Sequence, residues 1–329
     1  MDAAMKSSGM PPTRFKATVH RVLEIAKGIR SYELTPCEVD TFPAATAGAH
    51  IDLHLTPTLT RSYSLCGRPG ETLAYQVAVA LDPHGSGGSR YLFDEVVPGR
   101  LLEISTTTNH FSFCDDAPFS VFVAGGIGIT PLWSMIQGLK GRSARWILYY
   151  AARSKIHAAF LDEIESFAQE HGGTMVLSFG DDPARERWDF QQVVDRAPLA
   201  AHFYCCGPKR MIDAFVASTS ALPPERVHVE YFEGIADKGG DKAFTVELAK
   251  SGKCLIVLPG ETILEVVEAA GICVAHSCRE GVCGACEVRV LSGTPDHKDL
   301  VLSVEEKAKN QSMMICCSGS ASHHLVLDL

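Results

Sequence analysis

Long apolar runs are missing from this chain of 329 residues. The most apolar stretch, SVFVAGGIGITPLWSMI at 120–136, is broken by glycines and is too short to cross a bilayer comfortably. The opening MDAAMKSSGMPPTR contains no apolar h-region, so no secretory leader is expected. Basic runs are absent as well. Lys and Arg number 30 against 39 Asp and Glu, a formal charge of −9, and no cluster stands ready to neutralise nucleic-acid phosphates. There is no internal repeat, no low-complexity tract, and no catalytic triad or paired-carboxylate pattern. With 46% hydrophobic and 21% charged residues, the composition is that of an ordinary globular protein long enough for two or three domains. The expectation is a cytoplasmic protein with no nucleic-acid or membrane partner.

Cysteine, by contrast, is plentiful. Twelve cysteines in a reducing compartment favour metal ligation over a disulfide framework. SCREGVCGAC at 277–286 sets Cys278, Cys283 and Cys286 in the spacing C-x4-C-x2-C, and a Cys316-Cys317 pair follows after 29 intervening residues. A distant fourth cysteine after that spacing is the plant-type [2Fe–2S] pattern. The short loop brings three thiolates to one side, and small Gly281, Gly284 and Ala285 let backbone N–H groups approach the sulfides. Structural zinc is the competing reading, although zinc sites usually come as two C-x2-C knuckles. Cys254 and Cys273 read as core hydrophobes, and His323-His324 as surface.

Three rhythms divide the chain. After a flexible N-terminus at 1–13, residues 14–113 carry short alternating apolar runs between turns, which predict a small antiparallel β-barrel. Residues 114–234 alternate strands (FSVFVAG, RWILYYAAR, TMVLSFG, HFYCCGP) with helices (LWSMIQGLK, AAFLDEIESFAQEHG, KRMIDAFVAST), the signature of a parallel α/β sheet. A polar, glycine-rich linker occupies 235–242. Residues 243–329 read as a hairpin, a short helix at TILEVVEAAG, the cysteine loop and a closing strand at HLVLDL, an α+β unit.

Each upstream section carries a candidate site. In the barrel, RSYS at 61–64 closes a strand, and HGSGGSRYLFDEV at 84–96 runs from a glycine turn into a helix. Free N–H groups at Gly87, Gly88 and Ser89 form an anion site suited to a phosphate, with Arg61 as the guanidinium fork. Tyr63 can lie on a flat ring and Ser64 can hydrogen-bond it. In the α/β section, FVAGGIGITPLWSMI passes from strand through a glycine turn to a helix, with Gly125, Gly126 and Gly128 in the turn. Thr130 is expected to cap that helix, and Pro131 fits its first turn. CCGP at 205–208 ends a later strand at the carboxyl edge where ligands of open α/β sheets collect, which places Cys206, Gly207 and Pro208 there.

RSYS, GGIGITP, CGP and C-x4-C-x2-C, in this order, resemble the ferredoxin–NADP reductase superfamily fused to a C-terminal plant-type ferredoxin. The arrangement is similar to the phthalate dioxygenase reductase and vanillate O-demethylase reductase group. That resemblance implies a β-grasp ferredoxin domain, FMN as the flavin, NADH as donor and a Rieske-type non-haem iron oxygenase as acceptor, in a monomer. It places Arg61 and Ser62 at the flavin phosphate region, Tyr63 and Ser64 at the ring, and Gly88-Ser89 at the phosphate. Thr130 and Cys206 face the nicotinamide. Phe232 of HVEYFEG lies near the flavin, Cys316 is the fourth cluster ligand, and Cys317 is a buried thiol. His84 stands where relatives often carry a basic residue. Electrons then run from NADH to FMN to the cluster to the oxygenase, with no side chain acting as acid or base. A stand-alone NADH diaphorase and a zinc-stabilised binding module are the alternatives.

Overall fold

A computed structural model describes residues 14–142, 145–185, 188–232, 240 and 242–329. The segment 1–13 and most of the linker expected at 235–242 lie outside these residues.

The first unit contains β1 (Arg14–Ala26), β2 (Ile29–Pro36), β3 (His50–Thr56), β4 (Leu59–Ser64), β5 (Tyr75–Ala80), helix α1 (Gly88–Glu95) and β6 (Leu101–Ser105). Its six strands pair antiparallel in the order β4-β3-β6-β1-β2-β5. A bridge from Leu65 to Val77 ties the two outer strands together and closes the barrel. Period-2 alternation turns Tyr32 and Leu34, then Ile51, Leu53 and Leu55, into one core. Helix α1 is held against that core: the Tyr32 hydroxyl donates to the Leu92 carbonyl at 2.9 Å and Arg30 donates to the Phe93 carbonyl at 2.8 Å. This fixes the start of α1 beside β4.

The second unit runs β7 (Phe119–Gly125), α2 (Ile129–Gly138), β8 (Arg145–Ala152), α3 (Leu161–His171), β9 (Thr174–Phe179), α4 (Phe190–Arg196), β10 (His202–Gly207), α5 (Lys209–Thr219) and β11 (Val227–Tyr231). All five strands are parallel, in the order β11-β10-β7-β8-β9. The chain winds outward from β7 through β9 and then returns to β10 on the other side. The carboxyl ends of β7 and β10 therefore flank the switch point, where a crevice must open. Strand alternation also separates two neighbouring thiols. Phe203 and Cys205 pack with Val121, Val123, Ile212 and Phe215 on one face. Tyr204 and Cys206 pack with Phe122, Ala124 and α2 on the other.

The third unit contains β12 (Phe244–Leu248), β13 (Lys253–Val257), α6 (Ile263–Ala269), β14 (Glu287–Ser292), β15 (Pro295–Asp296), α7 (Val304–Lys309), β16 (Ser312–Met314), β17 (Gly319–Ser320) and β18 (His324–Leu327). The terminal strand β18 lies at the centre of the order β13-β12-β18-β14-β16, parallel to β12, with α6 packed beneath: a β-grasp. Cys254 and Cys273 correct the expectation of core cysteines, because both are exposed. Edge strand β13 turns Val257 inward, and period 2 then sends Cys254 and Ile256 outward, while Cys273 sits in the loop after α6.

Candidate electron-transfer sites

The cysteine loop leaves α6 and crosses to β14 through four residues with positive φ, Gly271, Arg279, Gly281 and Gly284. This winding points amides at sulfur: Glu280 N donates to Cys278 Sγ at 3.3 Å, and Cys278 N to Cys283 Sγ at 3.5 Å. The four expected ligands converge: the Cys278 side chain interacts with those of Cys283 and Cys316, and that of Cys286 with Cys316. Among the described residues no group of three or more His, Cys, Asp or Glu gathers around one point as a single ion would require. The four thiols nonetheless act on one another, as the ligands of a single cluster must. Hydrogen bonding to Cys278, and then burial, pushes the Cys283 thiol up; bonding to Cys316, and then burial, does the same to Cys286. Thiolates enclosed in this way need a compensating positive charge, which an iron–sulfur cluster supplies. Cys317 is also buried, but its Sγ faces the Met314 carbonyl at 3.7 Å and the Ser318 hydroxyl at 3.8 Å.

On the barrel, Arg61 lies directly against the glycine turn. Its guanidinium donates to the Ser86 carbonyl at 2.9 Å, and a Cβ on Gly88 would stand 2.5 Å from Arg61 Cγ. Gly87, at φ +92, is the N-cap of α1, so the amides of Gly88 and Ser89 open the helix beside that cation. Arg90 folds back to donate to the Pro83 carbonyl at 2.7 Å, bringing a second cation to the turn, whereas His84 is exposed. Tyr63 packs against the barrel core, and burial raises its phenol. Ser62 points elsewhere: its hydroxyl donates to Asp52 Oδ1 at 2.6 Å and meets Ser277 at 2.9 Å.

At the switch point the two glycine turns interlock. A Cβ on Gly128 would come within 2.3 Å of the Cys206 carbonyl oxygen, and one on Gly207 within 2.9 Å of the Gly125 Cα. Gly125 in turn abuts Pro208. Gly126, at φ +55 with open space where a Cβ would go, is the glycine that the turn's conformation requires. Thr130 does not cap α2. The turn winds first as a short 3₁₀ segment at Gly126–Gly128, so the helix starts before Thr130, and its hydroxyl donates back to the Ile127 carbonyl at 3.0 Å. Pro131 does lie in the first turn.

The barrel and the α/β unit meet where Ser64, Cys206 and Glu230 come together. Glu230 pairs in register with Cys206 across β10 and β11; it accepts from the Ser64 hydroxyl at 3.2 Å, with Cys206 Sγ at 4.0 Å. Desolvation pushes its carboxyl up to about 8, so it is mostly protonated at neutral pH. Burial likewise holds the Cys206 thiol well above its ordinary range. The junction is a neutral set of donors between flavin-side and nucleotide-side elements. Phe232, just beyond β11, packs against the same core. Sequence reasoning had singled out Phe232 and passed over Glu230, because an acid in a strand carries no local mark of the contacts it will make.

Residues 246–319 match the 2Fe-2S iron-sulfur cluster binding domain, and residues 122–217 match the oxidoreductase NAD-binding domain. The phenoxybenzoate dioxygenase subunit beta of Ectopseudomonas oleovorans is 46% identical, with 94% of this chain and 96% of that one aligned. The tetrachlorobenzoquinone reductase of Sphingobium chlorophenolicum is 44% identical over 97% of this chain and 99% of its own. Among solved structures, an intact type IV self-sufficient cytochrome P450 monooxygenase aligns with 99% of this chain at TM-score 0.87 and 34% identity, and this chain spans 43% of its length. Phthalate dioxygenase reductase aligns over 96% of this chain and 98% of its own, at TM-score 0.70 and 34% identity. An iron–sulfur match over the cysteine loop leaves no place for a zinc module. The chain belongs to the phthalate dioxygenase reductase group, oxidoreductases that join an NAD-binding domain to a [2Fe–2S] domain.

Proposed function

We propose that this chain is the NADH-dependent reductase component of a Rieske non-haem iron oxygenase system. The observation that carries the reading is that all three sites meet: Ser64 of the barrel bonds Glu230 of the α/β unit at 3.2 Å, and Ser62 of the barrel meets Ser277 beside the cluster ligands at 2.9 Å. When bound, FMN takes two electrons from NADH as hydride and releases them singly to a [2Fe–2S] cluster. Arg61 with Gly87, Gly88 and Ser89 holds the flavin phosphate, Tyr63 and Phe232 flank the ring, and Ser64 hydrogen-bonds it. Gly125, Gly126, Gly128, Thr130, Cys206, Gly207 and Pro208 seat the NADH, the last three on the edge that faces the barrel. Cys278, Cys283, Cys286 and Cys316 ligate the cluster. The units are 14–113, 114–234 and 243–329, and the protein works as a cytoplasmic monomer. Among the described residues no helix is long and apolar enough to cross a membrane.

A second reading, a stand-alone NADH reductase with a small-molecule acceptor, draws support from the likeness to tetrachlorobenzoquinone reductase. Anaerobic mixing with NADH separates the readings. The oxygenase-linked reductase bleaches its flavin, then its cluster, and turns over on addition of a Rieske oxygenase. Turnover with quinones alone, and none with any oxygenase, favours the second reading. Acid extraction is expected to release FMN, and recovery of FAD overturns that assignment.

A further inference from the structure

The barrel and the cysteine loop touch through three contacts that neither cofactor site requires. The first is the pair Ser62 and Ser277, 2.9 Å apart oxygen to oxygen. Chemistry settles its direction. The single Ser62 hydroxyl proton goes to the Asp52 carboxylate at 2.6 Å, so Ser277 must donate to Ser62. Ser277 is 4% exposed, and among the described residues its hydroxyl meets only Ser62. The second contact is His50, buried on β3, which faces the backbone of Cys283 and lies beside His110, ring centroids 6.0 Å apart. The third is Gly284, at φ +77, where a Cβ would stand 2.3 Å from His110 Nε2, so the ring rests on the bare Cα.

These contacts reach the loop beside its first two sulfur ligands. Ser277 adjoins Cys278, and Ser62 adjoins Tyr63, so one hydrogen bond links the flavin-side strand to the first ligand. The chain from Asp52 through Ser62 to Ser277 is charge-assisted at one end, and deleting a member leaves an enclosed partner unpaired. Such a seam is more than a passing contact, whereas domains within one chain ordinarily move relative to one another.

We propose that Asp52, Ser62, Ser277, His50 and His110 are positioning residues that keep the cysteine loop docked on the barrel, so that the electron crosses a standing contact and the ferredoxin unit does not swing in to collect it. The proposal rests on the reductase reading for the electron, but not for the dock. Its test uses full-length holoprotein carrying Ser277→Ala or His110→Ala, singly and combined. Hydrogen–deuterium exchange of the amides at 277–286 reads the dock directly, and anaerobic stopped-flow reads cluster reduction after NADH is added. Loss of one such contact is expected to raise exchange and slow cluster reduction by about tenfold, the equivalent of ~1.4 kcal/mol of docking. The double variant should exceed either single one. NADH-driven ferricyanide reduction and the cluster's EPR spectrum should stay as in the parent, and Ser277→Thr, which keeps the hydroxyl, should restore parental values. Parental exchange and parental cluster reduction in the double variant overturn the proposal. If Ser277→Ala disturbs the EPR spectrum, His110→Ala, placed on the barrel outside the ligand loop, decides the question alone. A parent protein whose flavin NADH does not bleach overturns the reductase reading, while exchange at 277–286 still judges the dock.

Discussion

At 316 and 317 two adjacent buried cysteines compete for the role of fourth cluster ligand. Cys316 interacts with both Cys278 and Cys286, whereas Cys317 reaches Cys316, the Met314 carbonyl and the Ser318 hydroxyl. Serine at 278, 283, 286 or 316 is therefore expected to abolish the cluster's visible and EPR signals while NADH still reduces the flavin. Cys317→Ser should keep both signals, and loss of the cluster in that variant alone would reassign the fourth ligand. Glu230 offers a second test, through pH. Desolvation raises its carboxyl from 4.5 to about 8, against the smaller opposing effect of the Ser64 hydrogen bond. The folded state thus holds the proton more tightly than the unfolded one. Its contribution to stability is complete below about pH 4.5, falls as pH rises, and is gone above about 8. Glu230→Gln should flatten the dependence of the thermal midpoint on pH across that window and gain on the parent toward its upper end. Parallel profiles for the two proteins would remove Glu230 from the account.

At the scale of elements, what matters is how closely turns approach each other. The turn after β7 and the end of β10 interlock because Gly125, Gly128 and Gly207 lack side chains where the two backbones cross. Gly128→Ala drives a Cβ into the Cys206 carbonyl, a backbone atom with little freedom to yield. A cost of roughly 1–3 kcal/mol is expected from such overpacking. The visible result should be a higher KM for NADH, because the displaced backbone belongs to the turn and strand end that form the nucleotide crevice. An unchanged KM would mean that the turn relaxes without touching the nucleotide site. Two helices, α4 and α7, escaped the sequence reading, although α7 carries a legible Ser303-x-x-Glu306 capping box that the structure forms in full. At six and seven residues they are too short to display a helical period.

For the molecule as a whole, the question is where an electron leaves. Residues 243–329 hold seven Lys and Arg against eleven Asp and Glu, so the ferredoxin unit is mildly acidic. Around the cluster, Arg279 is engaged with Glu268 at 2.8 Å, which leaves Glu280 as the loop charge best placed to meet a partner. Rim charges act on association rate and salt sensitivity more than on chemistry. Glu280→Lys should change the rate of oxygenase reduction and its ionic-strength dependence while flavin reduction by NADH stays unchanged. Equal rates for variant and parent across a salt series would move the docking site elsewhere on this unit.

Local chemistry was legible in the sequence because it depends on residues near one another along the chain. The C-x4-C-x2-C spacing, the glycine turns, the pairing of RSYS with the glycine turn before α1 and the alternation of strands with helices all fall in this class. Where a residue's role depended on what packs against it, the sequence was silent or misleading. Cys254 is as apolar in an edge strand as in a core, and only the outward register of β13 exposes it. Thr130 has the right chemistry for a cap, but a 3₁₀ turn placed it inside the helix. Glu230 lies 166 positions from Ser64, and Ser277 lies 215 from Ser62. The burial that raises the carboxyl and the contacts that dock the cysteine loop arise only when the three sheets pack together, since their free energy belongs to the assembled interface and to no segment alone.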